Sequence, residues 1–398
     1  MRILHIMQST VATAGGPVEA VRLQAAILRH RGVVQDIVCL DDGGGGDHLA
    51  GITVHAIGYG TAGTGLRGRI NALLRYHYSP LLLGWLNEHL HEYDAAVVHG
   101  LWHYSARAAF LALRRRRVPY LVFAHGTLGK WFRRAFPLKH LVKQLLWTWN
   151  DGRLLRDAAL VMFMTEDERR TARGTFLGHS AYREGVAGFG VADIAGDPLE
   201  QVRAFRQACP HLAGRRFLLF LGRIHPMKGC DLLVRAFAAT AGAQADLDLV
   251  VVGPDQLGWQ AGLARLADRL GVGHRIHWLG YWAASLPCKW GAFRAAEAFI
   301  LPSHWESFGL AVAEALACGT PVLITDKVAI WREIDEAGAG LVGGDTEDGI
   351  VDLLRRWLAL PDGERLRMGQ AARACFVKCF TTDRFADAFH HLLTDITA

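Results

Sequence analysis

Short apolar runs alternate with longer segments of helical periodicity along almost the whole chain, and this alternation limits the fold more than any other feature. Such alternation is typical of βα units around a parallel sheet. One series of strands is predicted at Arg2–Met7, Val33–Leu40, Ile52–Ile57, Ala95–His99, Tyr120–Ala124 and Leu160–Met164. A second series is predicted at Phe217–Leu221, Leu247–Val252, Ile276–Trp278, Ala298–Leu301 and Val322–Thr325. The chain is therefore predicted to form two successive doubly wound α/β domains.

The segment between the two series has the composition of a linker. Gly188–Gly214 contains glycines and prolines such as Gly190 and Pro198, which interrupt regular structure. We therefore predict an N-terminal Rossmann-like domain over residues 1–194 and a C-terminal one over 195–380. Residues 381–398 are predicted to form a C-terminal helix that could pack back on either domain, with the N-terminal domain as the candidate. Its apolar face comprises Phe385, Ala388, Phe389 and Leu392.

Composition excludes several classes of protein. With 398 residues, 51% of them hydrophobic, the chain can bury large cores, so extensive disorder is not expected. The net charge of +6 suits an anionic ligand or an acidic membrane surface, but it is too small to favour nucleic-acid binding. The seven cysteines form no CxxC pair, which argues against a disulfide framework or a zinc site. No apolar stretch has the length of a signal-peptide core or a membrane span, so we expect a cytoplasmic protein.

Two glycine-rich segments follow predicted strands of the first domain. Gly58–Gly63 has the spacing GxGxxG, but no acidic residue lies about 20 positions further on, so a dehydrogenase is not favoured. Thr13–Pro17 precedes the first helix, where backbone N–H groups could meet a phosphate. An ordinary βα turn explains Thr13–Pro17 equally well.

The second domain carries a stronger signal after its first strand. Gly222–Gly229 contains Arg223 and Lys228 directly before a predicted helix, Asp231–Thr240. Two cations beside a helix N-terminus are suited to a diphosphate, although they could also be surface charges that cap a loop. Glu306 and Glu314 follow a later strand, where carboxylates could accept hydrogen bonds from sugar hydroxyls.

Lys130–Trp147 interleaves cations with bulky apolar residues. This composition favours two structures equally. One is an interfacial segment that places aromatic rings in an anionic membrane surface, and the other is an amphipathic helix whose apolar side belongs to the core.

Together, these motifs resemble the retaining glycosyltransferases of family 4. The resemblance covers nearly the whole chain and is most specific in Gly222-Arg223 with Lys228-Gly229, in the E-x7-E pair, and in Ala315–Val322. It implies the GT-B fold, in which two Rossmann-like domains face a central cleft. The chain departs from the family pattern at Gly188–Asp193 and at Val252–Asp255.

The resemblance also implies roles for individual residues. Arg223 and Lys228 would hold the donor diphosphate and stabilise the leaving group, Glu306 would contact the transferred sugar, and His125 would orient that sugar; these four are the expected catalytic residues. Glu314 would bind the donor ribose. The remaining donor-binding residues would be Gly16, Gly222, Gly253, Gly280, Tyr281, Phe308, Gly309 and Leu310. His99, Trp102 and Lys130 would lie on the acceptor side.

The implied function is transfer of a hexose, with retention, from a UDP- or GDP-linked sugar. The acceptor would be a hydroxyl of a glycan or of a polyprenyl-diphosphate-linked glycan, in surface polysaccharide biosynthesis at the inner face of the membrane. No cofactor is expected. A metal is not expected either, because Asp246-Leu-Asp248 precedes a strand rather than following one. The alternatives are a nucleotide-sugar epimerase and a non-catalytic nucleotide-sugar-binding protein.

Overall fold

The computed structural model describes residues 1–11, 16–41, 49, 51–58, 76–130, 133, 136–179, 181–241, 246–255, 257–283 and 286–397. The chain forms two compact units. The N-terminal unit comprises Met1–Gly190 with Thr382–Ala398, and the C-terminal unit comprises Val191–Thr381. The glycine segments Thr13–Gly15, Gly43–Gly46 and Tyr59–Gly63 lie outside the described residues, as do Trp131, Phe132, Arg134 and Ala135.

The N-terminal unit is built on a parallel sheet with the strand order β3-β2-β1-β4-β5-β6-β7. The strands are β1 Arg2–Ile6, β2 Val34–Cys39, β3 Thr53–Ala56, β4 Ala95–His99, β5 Tyr120–Phe123, β6 Leu160–Phe163 and β7 Glu184–Val186. The helices are Gly16–His30, Pro80–His89, Tyr104–Arg116, Pro137–Leu146, Gly152–Asp157, Glu166–Ala172 and Thr382–Thr397. The strands predicted for this unit are all present, and the order reverses between β1 and β4, as in doubly wound folds.

The C-terminal unit has a second parallel sheet, with the order β10-β9-β8-β11-β12-β13. Its strands are β8 Arg216–Leu221, β9 Leu247–Val252, β10 Ile276–Trp278, β11 Ala298–Leu301, β12 Val322–Thr325 and β13 Gly340–Gly343. Its helices are Pro198–Ala208, Cys230–Ala241, Gln260–Arg269, Pro287–Ala295, Leu310–Ala317, Trp331–Glu336, Glu347–Ala359 and Asp362–Cys379. The predicted strands are again all present.

Two edge strands escaped the sequence prediction. Among the described residues, β7 reads Glu-Gly-Val and pairs only with β6, and β13 reads Gly-Leu-Val-Gly and pairs only with β12. An edge strand contacts a single neighbour and needs little apolar surface, so neither segment carries the continuous apolar run that marks a buried strand.

The C-terminal helix Thr382–Thr397 belongs to the N-terminal unit and packs on the helix Gly16–His30 and on β4. Phe385 and Phe389 are buried on it, as the helical periodicity predicts. Ala386 and Leu393 are the other buried residues, whereas Ala388 and Leu392 are only half-buried. The packed face is therefore rotated slightly from the predicted one.

Removal of the Phe389 ring should destabilise the N-terminal unit. Phe389 is fully buried, and its ring lies 6.0 Å from that of Phe123 and 6.5 Å from that of His5. Phe389→Ala would leave a cavity, and we expect a loss of about 3–5 kcal/mol in the free energy of unfolding. Urea denaturation measures this loss. His391→Ala on the exposed side of the same helix should stay within about 0.5 kcal/mol of wild type; equal effects of the two substitutions would contradict the packing.

Candidate functional site

The loops that follow β8, β11 and β12 meet at the carboxyl edge of the second sheet, because these three strands are parallel neighbours. The backbone joins the loops directly. His304 N donates to Met227 O (2.8 Å) and Glu306 N donates to Lys327 O (3.0 Å). Ligands of doubly wound sheets bind at this edge, close to the strands where the order reverses, here β8 and β11.

The segment Gly222–Gly229 forms a tight loop after β8. A single 3₁₀ turn, Pro226–Lys228, is capped by the His225 ring, whose Nδ1 accepts a hydrogen bond from Met227 N (3.1 Å). Gly229 then adopts a left-handed conformation (φ 65°), and a Cβ there would overlap the carbonyl of Pro302. Only glycine meets both conditions. The loop therefore enters the helix Cys230–Ala241 in close contact with the loop after β11.

Arg223 and Lys228 differ in their surroundings. Arg223 is exposed, and no ion pair of its guanidinium is found in the part of the chain that the structure describes. Lys228 is largely buried, and its Nζ contacts the Oε1 atom of Glu306. The two residues that the sequence assigned to the diphosphate and to the sugar are thus in contact with each other.

Two opposing effects act on the Lys228 ammonium. Burial lowers the pKa of Lys228, and the neighbouring Arg223 charge lowers it further. The Glu306 carboxylate opposes both effects, because an adjacent opposite charge favours the protonated form. The loop consequently places a largely buried lysine directly beside a carboxylate.

Glu314 lies inside the helix Leu310–Ala317 and is buried. Its Oε1 accepts a hydrogen bond from the Nζ of Lys289 (2.7 Å), which is itself buried and lies 4.3 Å from the centre of the Trp290 ring. Lys289 stands in no motif of the sequence. Nothing in the pattern of its own helix, Pro287–Ala295, distinguishes a buried lysine from a surface one, and only the tertiary pairing reveals it.

The remaining predicted donor residues of the C-terminal unit lie along the same edge. Gly222 and Gly253 end β8 and β9 so close together that a Cβ on Gly253 would overlap the carbonyl of Gly222. Gly253 N donates to Gly280 O (2.7 Å), which places Tyr281, 68% exposed, after β10. Gly309 precedes the helix that starts with the half-buried Leu310, whereas Phe308 is buried against Phe380. Phe308 therefore belongs to the core of the C-terminal unit.

In the N-terminal unit, a buried carboxylate holds the turn that carries His125. His125 and Gly126 both have positive φ (48° and 74°), which is uncommon for histidine. Glu168 Oε1 accepts from Gly126 N (2.6 Å), and its Oε2 accepts from Met164 N (2.7 Å). Glu168 thereby fixes the turn after β5 to the end of β6. Its place in a polar helical segment, Glu166–Ala172, gave no sign of this role.

His99 and His125 are directly hydrogen-bonded, His99 Nδ1 lying 2.9 Å from His125 Nε2. His99 is the last residue of β4 and is buried. A ligand at this edge of the sheet would therefore contact His125 rather than His99. A further histidine, His5 on β1, lies behind it. No motif of the sequence marks His5.

The other residues assigned to the acceptor side have different environments. Trp102 is buried in the core of the N-terminal unit against Phe176, and its backbone N donates to Asp151 Oδ1 (3.2 Å). Lys130 is exposed. Gly16 begins the helix Gly16–His30, and the loop before it lies outside the described residues.

No group of His, Cys, Asp or Glu side chains within the described residues could hold a metal ion. Asp248 lies at the amino end of β9, where it is buried and paired with Arg215 and His277. It is therefore remote from the carboxyl edge of its sheet.

The apolar side of the helix Pro137–Leu146 is not part of a core. None of its residues is buried. Its exposed apolar side chains recur at helical spacing along one face and reach 78% exposure, at Leu138, Leu141, Val142 and Leu145. The described part of the segment thus divides, because these side chains lie outside the core, whereas Trp147 is buried in the core of the N-terminal unit. None of the described helices is long and apolar enough to cross a membrane.

Family models match both units. Residues 15–184 match the family described as glycosyl transferase 4-like domain, and residues 202–374 match the family described as glycosyl transferases group 1. The chain belongs to the GT4-like glycosyltransferases of the GT-B fold. Each unit of this family member thus corresponds to one of the two matched domains.

The comparisons with individual proteins agree with the family. D-inositol 3-phosphate glycosyltransferase of Mycolicibacterium paratuberculosis is 32% identical over 295 residues, which are 73% of this chain and 65% of that protein. The match thus spans less than two thirds of this relative. Sucrose-phosphate synthase from Thermosynechococcus elongatus has a similar fold, with a TM-score of 0.77, 19% identity and coverage of 99% and 98% of the two chains. Anabaena Alr3699/HepE, in complex with UDP-glucose, also has a similar fold. Its TM-score is 0.75 at 19% identity, and the match covers 99% of this chain and 100% of that chain.

The buried Glu168 gives the protein a specific pH dependence. Burial raises the pKa of Glu168 to about 7, above the value of 4.5 for an unperturbed carboxyl. Between these values the folded chain binds a proton that the unfolded chain releases, so this group makes folding more favourable as the pH falls from 8 to 5. Relative to Glu168→Gln, wild type should therefore gain about 3 kcal/mol over this range, measured as the difference in Tm at the two pH values.

Glu166, at the start of the same helix, is the matched control. Its hydrogen bond with Arg169 lowers the pKa of Glu166 to about 2, so its contribution to stability is lost only as the pH falls below about 4.5. The difference between wild type and Glu166→Gln should be the same at pH 8 and pH 5. A pH-independent difference for Glu168→Gln as well would contradict the assignment.

Proposed function

We propose that this protein is a retaining glycosyltransferase that moves a hexose from a UDP- or GDP-linked sugar to a hydroxyl of a glycan or lipid-linked glycan. The observation that carries the proposal is the cluster of Arg223, Lys228 and Glu306 at the carboxyl edge of the second sheet, in a member of a glycosyltransferase family. HepE, which has a similar fold, binds UDP-glucose, and this supports a nucleoside-diphosphate sugar as the donor.

The diphosphate would bind to Arg223, to Lys228 and to the start of the helix Cys230–Ala241. Breaking the bond between the sugar and the diphosphate puts negative charge on the departing phosphate, and fixed cations stabilise that charge. Each charge-assisted hydrogen bond contributes about 1.5–3 kcal/mol. This chemistry uses only side chains and backbone N–H groups of the protein, so the proposal includes no metal and no cofactor.

The contact between Lys228 and Glu306 suggests how donor binding rearranges the site. In the structure, the Glu306 carboxylate is the anion next to the Lys228 ammonium. A bound diphosphate would replace it as the partner of Lys228. Glu306 would then be available to accept hydrogen bonds from hydroxyls of the transferred sugar.

Glu314 would bind the ribose of the donor. Its carboxylate already accepts a hydrogen bond from Lys289, but a carboxylate has about four acceptor positions and can bind a hydroxyl as well. Lys289 would hold the carboxylate in place. Tyr281, exposed after β10, would flank the nucleobase.

The N-terminal unit would bind the acceptor, and His125 would contact the transferred sugar. In the proposed reaction the bond from the anomeric carbon to the diphosphate oxygen breaks as the bond to the acceptor oxygen forms on the same face. The acceptor proton passes to the departing phosphate. Retention follows, because the new bond takes the place of the old one.

Nucleotide binding tests the donor site. At a concentration of about 100 times its Kd, a nucleotide stabilises the protein by about 3 kcal/mol, so the cognate member of a UDP, GDP and ADP panel should raise the Tm clearly. The Arg223→Ala/Lys228→Ala double variant should lose this shift. The control is Arg265→Ala/Lys378→Ala, which removes the same two charges from exposed positions of the same unit and should keep it.

Three further results would contradict the proposal. If no nucleotide stabilises wild type, the donor assignment fails. If a nucleotide sugar is converted without any added acceptor and without hydrolysis, the protein is an epimerase instead. Tight binding with no turnover would indicate a non-catalytic binding protein.

We further propose that the exposed helix Pro137–Leu146 docks on an anionic membrane surface, where a lipid-linked acceptor for surface polysaccharide would lie. Its apolar face is exposed, and the exposed Lys139 is on the same helix, whereas Lys143 is half-buried with its Nζ 5.0 Å from the centre of the Trp102 ring. The Nζ of Lys139 lies 5.0 Å from the centre of the Phe136 ring. Apolar side chains enter the boundary between headgroups and acyl chains, while lysines meet anionic headgroups.

Flotation with vesicles tests the membrane surface. The protein should float with phosphatidylglycerol vesicles at low salt and much less with neutral phosphatidylcholine vesicles. Leu141→Glu/Leu145→Glu should reduce the floating fraction about tenfold. The two carboxylates would have to enter the apolar part of the membrane, and they would be repelled by the anionic headgroups. Leu199→Glu/Leu366→Glu, at exposed leucines of the C-terminal unit, changes the charge equally and should float like wild type. Equal loss in both variants would exclude docking by this helix.

A further inference from the structure

Three histidines and a glutamine form a continuous hydrogen-bonded row across the first sheet. Gln35 Oε1 lies 2.9 Å from His5 Nε2, His5 Nδ1 lies 2.9 Å from His99 Nε2, and His99 Nδ1 lies 2.9 Å from His125 Nε2. The residues come from β2, β1, β4 and the turn after β5, which are adjacent in the sheet. We call His5, His99 and His125 the histidine row.

Apolar packing surrounds most of the row. Gln35, His5 and His99 are buried, and the His99 ring is stacked on those of Phe123 and His125. Phe389 of the C-terminal helix lies against His5. Burial lowers the pKa of His5 and of His125 to about 4, and burial followed by the charge of its neighbours lowers that of His99. All three rings are therefore neutral near pH 7.

A neutral imidazole has one N–H and one lone pair, so each hydrogen bond in the row fixes the next. Gln35 presents its carbonyl oxygen to His5, and its Nε2 has no partner among the described residues. Because Oε1 can only accept, His5 carries its proton on Nε2 and has a lone pair on Nδ1. His99 must then donate from Nε2 to His5, and His125 must donate from Nε2 to His99.

We propose that Gln35, acting through His5 and His99, fixes His125 as the Nε2–H tautomer. The lone pair of His125 Nδ1 is then presented to a hydroxyl of the transferred sugar. Gln35, His5 and His99 are positioning residues, because they would act on the sugar through His125. The functional part rests on the proposed contact between His125 and the transferred sugar. A hydroxyl that donates to Nδ1 must direct its own lone pairs elsewhere, so the row determines how that sugar is oriented.

The tautomers can be measured directly. Protein labelled with ¹⁵N-histidine, at pH 7.5, gives long-range ¹H–¹⁵N correlations that distinguish a protonated from an unprotonated ring nitrogen. A His125→Gln spectrum assigns the His125 signals. In wild type we expect all three rings of the histidine row to be protonated on Nε2.

Gln35→Met removes the acceptor while keeping the side-chain length. His5 would then have an N–H facing an apolar group, and a buried N–H without a partner is rarer than a buried acceptor without one. The row should therefore reverse, and His125 should become protonated on Nδ1. Wild-type rings protonated on Nδ1, or a Gln35→Met spectrum with His125 unchanged, would overturn the proposal.

Gln201→Met is the matched control. Gln201 is equally buried and is hydrogen-bonded to Ala195 O and to Arg294, but it lies in the C-terminal unit. Its replacement should lower the Tm to a similar extent and leave the three tautomers unchanged. A change of His125 tautomer in Gln201→Met would mean that the signal reports general destabilisation.

Turnover of UDP-glucose gives the functional readout. In Gln35→Met we expect kcat to fall about tenfold, the effect of losing one hydrogen bond to the sugar. The Tm shift produced by UDP should be unchanged. If wild type does not turn over UDP-glucose, that failure concerns the donor, and the spectra still decide the tautomer. If it does, and Gln35→Met reverses the row with full kcat, the functional part is wrong.

Discussion

Parallel pairing is the constraint on which the rest of the structure depends. In both sheets every strand runs in the same direction, so every strand delivers its following loop to the same edge. The loop with Lys228 follows β8, and the loop with Glu306 follows β11. The parallel direction of the strands brings these two loops together, although about 80 residues separate them along the chain. The same geometry aligns His5, His99 and His125 across the first sheet, where one residue from each neighbouring element continues the row.

How much the sequence could predict follows the same division between local and tertiary information. Runs of apolar residues identify β1 or β9, because both faces of a central strand are buried. The sequence could also predict residues that stand in motifs at strand ends, namely Arg223, Lys228, Glu306 and His125. It could not predict residues whose importance comes from partners distant in sequence. Lys289 contacts Glu314, Glu168 binds the backbone of Gly126, and Gln35 is hydrogen-bonded to His5. A single buried polar residue looks like a surface one until its partner is known.

Each polar group in these sites is held by a second one that stands behind it. Lys289 neutralises Glu314, Glu168 holds the turn of His125, and Glu306 meets Lys228. Burying a charge or an N–H without a partner costs more than the paired arrangement, so these pairs determine one geometry for each functional side chain. The exception is Arg223, which is exposed. It is the cation with the greatest freedom to follow an incoming ligand.

The C-terminal helix makes the folding of the N-terminal unit dependent on the end of the chain. Residues 191–381 form an insertion within that unit, since Thr382–Thr397 returns to it after the second sheet is complete. On the ribosome, the inserted unit is therefore fully synthesised before Phe389 exists to cover His5 and Phe123. A chain whose synthesis stops early would contain a finished second unit beside a first unit with an open apolar face, a form that quality-control proteases and chaperones recognise.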